Sequence, residues 1–287
     1  MPTHLTDTHF SDLPINGKVV DALAAANFSH CTPIQALALP PLLEGHDIAG
    51  QAQTGTGKTI AFLVATFHYL LSKAENADNS KSNGPRAIIM APTRELAVQI
   101  YNDAKLLSEH TGLSLGLIYG GEGYQSQRET LEEGVDIIIG TTGRILDYYK
   151  QNVFTLKNIQ VAVLDEADRM LDMGFRKEML RICDEAKNRR QCFLFSATLE
   201  GDSVELFAER ILNDPALLEA ESSRKEKAKI HQWVHLADDY HHKLELLVNT
   251  LNGPDVSKAI VFVKTRERLE TLIGKLTNNG VKAAWLR

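Results

Sequence analysis

The segment Ala52-Gln53-Thr54-Gly55-Thr56-Gly57-Lys58-Thr59 joins an apolar run, Asp47–Gly50, to an amphipathic stretch beginning at Ile60. Gly55 and Gly57 let the chain curl without Cβ clashes, so consecutive backbone N–H groups can converge on one point. The helix start adds partial positive charge there. Such a point suits phosphate. Lys58 would reach the β- and γ-phosphates of a nucleoside triphosphate, and the Thr59 hydroxyl would ligate Mg²⁺. Ala52 stands where the strict pattern has its first glycine. A loop of this kind needs a carboxylate to hold the metal. Val161–Asp168 offers one: four apolar residues, then Asp165 and Glu166 at the carboxyl end of a predicted strand. Asp165 is expected beside Mg²⁺ through a water, and Glu166 where it polarises the attacking water. Catalytic work is thus expected of Lys58, Asp165 and Glu166.

Other short motifs follow in order. Asp165-Glu166-Ala167-Asp168 resembles the signature of the DEAD-box ATP-dependent RNA helicases. Thr32-Pro33-Ile34-Gln35, with Phe28 seven residues before Gln35, is similar to that family's Q motif, here spanning 8–36. The resemblance implies that Gln35 reads adenine bidentately while Phe28 stacks on it. Asn27 replaces the family's usual glycine, and Phe10 sits where the family places an isolated upstream aromatic. Pro92-Thr93-Arg94 resembles motif Ia, Gly120-Gly121 the GG doublet, and Thr141-Thr142-Gly143-Arg144 motif Ib. These imply sequence-tolerant contacts along a single RNA strand, made by Pro92, Thr93, Arg94, Gly120, Gly121, Thr141, Gly143 and Arg144. Ser196-Ala197-Thr198 resembles motif III, which implies a bond to Asp168 linking the ATP site to RNA. Ile260–Thr265 resembles motif IV.

These residues need a scaffold that gathers them. Apolar runs without alternation are predicted strands at Asp47–Gly50, Ala87–Ala91, Ser114–Tyr119, Val135–Gly140, Val161–Leu164 and Cys192–Phe195. Amphipathic stretches such as Ile60–Leu71, Glu95–Leu107 and Val204–Ile211 separate them. The alternation predicts an α/β fold, a parallel sheet covered by helices on both faces, with ligands at the carboxyl ends of the strands. In family terms this is a RecA-like P-loop NTPase domain over 1–222, a linker at 223–229, and an incomplete second RecA-like domain over 230–287. That second part is predicted to hold strands at Ile230–Leu236, Ala259–Val263 and Val281–Leu286, with helices at Tyr240–Leu251 and Glu267–Asn278. Ser72–Gly84 is expected to be a surface loop.

Composition sets the outer bounds. The chain has 287 residues, 44% hydrophobic and 24% charged, enough to bury a core and too apolar for disorder. No apolar run approaches the roughly 18 residues that span a bilayer, and no secretory leader is evident. Cys31, Cys183 and Cys192 lack metal-ligand spacing and suit reduced cytoplasmic thiols. Arg224–Arg287 carries 12 basic and 7 acidic residues, a net of +5, while the remainder carries −11. The expected ligands are ATP, Mg²⁺ and RNA, with no membrane partner. The first half is similar to the family member associated with bacterial RNA decay, and Leu164–Lys243 to the one associated with large-ribosomal-subunit assembly, which implies partners in one of those processes. The sequence holds no arginine motif of the HRIGRxGR type that closes the family's ATP cleft. Weak RNA-stimulated hydrolysis by a fragment of a longer helicase is therefore expected. The alternatives are a non-catalytic RNA- or protein-binding fragment and a DNA-translocating helicase.

Overall fold

Ala87–Ala91 contains no polar residue and forms strand β2, buried along its whole length. A strand buried on both sides must lie inside a covered sheet. Seven strands make that sheet: β1 (Ile48–Gln51), β2, β3 (Leu115–Ile118), β4 (Ile137–Thr141), β5 (Val161–Leu164), β6 (Gln191–Ser196) and β7 (Ala216–Glu219). All pair in parallel, in the order β3-β4-β2-β5-β6-β1-β7. The computed structural model describes residues 5–52, 55–74, 84–121, 123–199, 201–219 and 231–285. Its contacts form two compact units, Met1–Lys225 and Glu226–Arg287. The expected linker, 223–229, lies outside the described residues, as do Gln53, Thr54 and most of the expected loop after Ser72.

Successive strand side chains point to opposite faces, so one sheet separates two cores. Ala87, Ile89 and Ala91 join Ile137, Ile139, Val161, Val163, Phe193 and Phe195 on the first face. Helices α1 (Gly17–Ala25), α2 (Pro33–Glu44), α3 (Lys58–Ala74) and α4 (Arg94–Thr111) cover it. Ile88, Met90, Ile138, Ala162, Leu164 and Leu194 face the other way. There they meet α5 (Tyr124–Glu133), α6 (Thr142–Lys150), α7 (Ala167–Asp172), α8 (Arg176–Glu185) and α9 (Asp202–Ile211). Burying each large side chain contributes about 1.5–3 kcal/mol, so both faces are strongly held. At Gly140 a Cβ would lie 2.1 Å from the Ile118 carbonyl oxygen, and only glycine lets β4 close on β3 there.

Carboxylates fasten the amino ends of the strands. Asp47 accepts from the backbone N–H of Cys192 and of Asn213, both at 2.7 Å, which ties the starts of β1, β6 and β7 together. Asp136 pairs with Arg86 at 2.8 Å and accepts from the Ser114 N–H at 2.8 Å, and so does the same for β2, β3 and β4. The opposite edge is left to loops.

The second unit holds α10 (Tyr240–Leu251) and α11 (Arg266–Asn278), capped by the Asp239 and Thr265 side chains. The three predicted strands of this region are not formed among the described residues. A strand persists only when its backbone groups find a ladder partner, and none of these segments pairs with another here. Many of their side chains stay in solvent, with Trp233 80% and Phe262 90% exposed, and Leu276 is the buried residue among the described residues of this unit.

Candidate active site

The strand order sorts the carboxyl edge into two halves. β6 and β1 lie side by side and end in Ser196 and in the loop to Lys58. β3, β4 and β2 are likewise adjacent, and end beside Gly120-Gly121, Thr141–Arg144 and Pro92–Arg94. β5 stands between the two groups and ends at Asp165.

On the first half, Gly55 and Gly57 take φ of +83° and +95° as the chain turns into α3. A Cβ on Gly57 would come within 2.7 Å of Gln35 Nε2 and 2.9 Å of Thr32 Oγ1. Space as well as conformation therefore demands glycine. Lys58 Nζ lies 2.7 Å from Asp165 Oδ1, with the two side chains 5% and 0% exposed. Burial pushes the Asp165 carboxyl above its ordinary pKa, and the Lys58 ammonium opposes that rise. The other oxygen, Oδ2, is buried without a hydrogen-bond partner. A hard acceptor of this kind fits Mg²⁺ or a water bound to it. Thr59 is half-buried in the first turn of α3, one residue beyond Lys58.

Glu166 sits at the amino end of α7 with φ +53° and ψ +53°, a left-handed conformation unusual outside glycine. Its carboxylate lies 3.6 Å from Arg169 Nη1. Asp168 Oδ2 accepts from the Ala197 N–H at 3.2 Å, and the Ser196 hydroxyl donates to the Thr198 carbonyl at 2.6 Å. Ala52 is buried, and its N–H donates to the Ser196 carbonyl at 3.0 Å. Ser196-Ala197-Thr198 thus touches both the acidic tetrad and the strand leading into the phosphate loop.

Gln35 is used twice. Its Oε1 accepts from the Thr32 N–H at 2.8 Å, and its Nε2 donates to the Gly57 carbonyl at 2.9 Å. An amide has capacity for one further bond at each end, so Gln35 can brace the loop and still read a base edge. Phe28 is 37% exposed and follows directly on the end of α1. There Asn27 takes φ +62°, its N–H reaching the Ala24 carbonyl while the Phe28 N–H reaches that of Leu23. This is a Schellman ending, and asparagine is the usual substitute for glycine in it. Phe10 is buried in the first core and is placed to hold the segment, not to meet a ligand.

On the second half, Pro92 is buried and Thr93 caps α4, its hydroxyl accepting from the Leu96 N–H at 3.3 Å. The Arg94 guanidinium lies over the Tyr119 ring at 4.5 Å. Gly120, Gly121 and Gly143 are exposed, Thr141 is half-buried at the end of β4, and Thr142 opens α6. Arg144 stacks on Tyr124 at 4.7 Å. Gln127, which sequence reading did not single out, clamps Tyr119: its Oε1 accepts from the Tyr119 N–H at 3.1 Å and its Nε2 donates to the Tyr119 carbonyl at 3.2 Å.

A parallel sheet with a glycine-rich phosphate loop and an acidic strand end facing it defines a RecA-like nucleoside-triphosphate domain. The chain belongs to the DEAD/DEAH box helicase family, whose pattern residues 32–207 match. It is 61% identical over 286 residues to "ATP-dependent RNA helicase RhlB" of Pseudoalteromonas atlantica, covering 99% of this chain and 66% of that protein. To the Escherichia coli O1:K1 protein of the same name it is 51% identical over 287 residues, covering 99% of this chain and 67% of that one. It therefore spans about two thirds of the length of these relatives. The crystal structure of a DEAD box protein from Methanococcus jannaschii matches with a TM-score of 0.67 at 31% identity, covering 97% of this chain and 72% of that one.

Proposed function

We propose that this chain binds ATP with Mg²⁺ and single-stranded RNA, and couples ATP hydrolysis to local opening of RNA duplexes. The observation that carries the reading is the buried Lys58–Asp165 contact, with Asp165 Oδ2 unpartnered, on the same sheet edge as Ser196–Thr198. Gln35 and Phe28 would select adenine. The backbone N–H groups of residues 53–59, with Gln53, Thr54 and Thr56 among them, would bind phosphate, with Ala52 leading the chain into the loop, and Lys58 would neutralise its outer oxygens. Thr59 and, through a water, Asp165 would hold Mg²⁺, which supplies positive charge to the phosphates. Glu166 would orient and polarise the attacking water. Asp168 and the Ala197 N–H would carry the state of this site toward the RNA half.

RNA contacts would fall to Pro92, Thr93, Arg94, Gly120, Gly121, Thr141, Gly143 and Arg144, largely to the backbone and hence tolerant of sequence. No helix among the described residues is long and apolar enough to cross a membrane. A cytoplasmic setting with RNA-decay or ribosome-assembly partners belongs to the same proposal. In related P-loop NTPases an arginine finger is worth about 10³–10⁵ in turnover. No HRIGRxGR segment occurs in the sequence, so hydrolysis by these 287 residues is proposed to be slow.

Phosphate release from ATP, measured with and without single-stranded RNA, tests the reading. The expected result is a low rate that RNA raises and that Glu166→Gln abolishes while an ATP analogue still binds. RNA binding with no phosphate release under any condition would favour the non-catalytic alternative. Robust duplex unwinding would sink the expectation of slow turnover.

A further inference from the structure

The pairing of β1 with β6 runs out at the carboxyl edge of the sheet. Its last register pair is Gln51 with Ser196, and one more bond follows, from the Ala52 N–H to the Ser196 carbonyl at 3.0 Å. There both strands end, β1 leading to the phosphate loop and β6 to Ala197 and Thr198. A side chain continues where the ladder stops: Gln51 Nε2 donates to the Ala197 carbonyl at 3.4 Å. We propose that Gln51 is a positioning residue that ties the strand entering the phosphate loop to Ser196–Thr198, and so couples ATP binding to RNA binding. The assignment rests on the ATP and RNA reading above.

Ala197 is held from two directions. Its N–H donates to Asp168 Oδ2 at 3.2 Å, and its carbonyl accepts from Gln51. The turn around it is closed on itself, the Ser196 hydroxyl donating to the Thr198 carbonyl at 2.6 Å and accepting from the Thr198 N–H at 3.3 Å. A closed turn moves as a piece, so a shift at Asp168 reaches Gln51 and the chain that runs on to Lys58. Lys58 in turn meets Asp165 at 2.7 Å, three residues before Asp168. These contacts make a closed circuit through the phosphate loop, the acidic tetrad and Ala197. The Gln51 bond is the longest polar contact in it, and Gln51 is half-buried. It lies beyond the usual 2.7–3.2 Å range and is the contact that a displacement of Ser196–Thr198 changes first.

The position asks for a donor on a long side chain. Neighbouring strands lie about 4.8 Å apart, and the accepting carbonyl belongs to the residue after the register partner. Methionine would span that gap without a donor, and lysine would span it with one.

Binding of a non-hydrolysable ATP analogue to the 287-residue chain, with and without saturating single-stranded RNA, gives the coupling as a ratio of dissociation constants. In the unaltered chain RNA is expected to tighten the analogue by roughly 5- to 150-fold, the usual span of coupling between sites. Gln51→Met should bind the analogue alone as the unaltered chain does and lose most of that factor, whereas Gln51→Lys should keep it. Coupling is reciprocal, so the analogue should tighten RNA by the same factor and show the same loss in Gln51→Met. The positioning role is overturned, with the ATP and RNA reading left standing, by any of three results: the full factor in Gln51→Met, an equal loss in both variants, or an analogue weakened by Gln51→Met equally with and without RNA. An unaltered chain that fails to bind either ligand, or binds both with no mutual effect, overturns that reading and this role with it.

Discussion

Lys58 and Asp165 are each the other's solvent, and removing one exposes the other to a low-dielectric surrounding. Breaking a buried ion pair by deleting one member costs about 3–5 kcal/mol, because a buried charge is left uncompensated. Lys58→Ala is thus expected to lower the urea midpoint at neutral pH as well as abolish binding of an ATP analogue. Burial already raises the Asp165 carboxyl above its ordinary range, with Lys58 opposing. In the variant the rise is unopposed, so the folded chain takes up a proton at a pH where the unfolded chain has lost it. Stability then falls as pH climbs from the ordinary carboxylate range through the raised value, and the deficit shrinks on acidification. Lys58→Met combined with Asp165→Asn should recover stability without recovering nucleotide binding. Glu166 poses a second trade. Its left-handed backbone is a strained position, and Glu166→Gly should raise the thermal midpoint, by up to about 1 kcal/mol of stability, while phosphate release is lost. The residue types at both positions were legible in the sequence, because each motif is contiguous. Their contact was not, since it depends on where β5 lies relative to β1, and no residue type in the motif announces the left-handed backbone of Glu166.

Asn27 shows how an element's ending sets a candidate site. The chain turns left-handed after α1, and that ending sets where Phe28, 37% exposed, leaves the helix. Asn27→Gly should be nearly neutral in denaturant midpoint, and Asn27→Val should cost about 1–2 kcal/mol and weaken ATP-analogue binding. Elements with internal periodicity were legible: six strands of the sheet follow from apolar runs, and α3, α4 and α9 from their amphipathic pattern. β7 was not, because Ala216–Glu219 is a four-residue edge strand with alternate side chains exposed and offers no continuous apolar run. The opposite error occurs in the second unit, where apolar runs such as Ala259–Val263 look like strands but lack ladder partners. Composition proposes a strand; pairing makes one.

At the scale of the whole chain, burial differs sharply between the units. Two cores flank the sheet of the first, whereas the second buries Leu276 and leaves Trp233 and Phe262 in solvent. Limited chymotrypsin digestion should therefore cut after Trp233, Tyr240 and Phe262 well before any aromatic of the sheet, leaving a resistant product close to the first unit. Early cleavage within β2 or β6 would contradict this. Strand order belongs to this scale as well, and no local pattern announces it: β5 becomes central only because the crossovers carry β2 and β4 to one side and β6 and β1 to the other. That placement has a consequence in time as well as space. Central strands open only with the whole sheet, whereas an edge strand can fray alone. Amide hydrogens of β5, which carries Asp165 and Glu166, should exchange with deuterium among the slowest in the chain, and those of edge strand β3, beside Gly120-Gly121, much sooner. The residues expected to do chemistry hang from the sheet's slowest clock, and the loop expected to grip and release a strand hangs from one of its fastest.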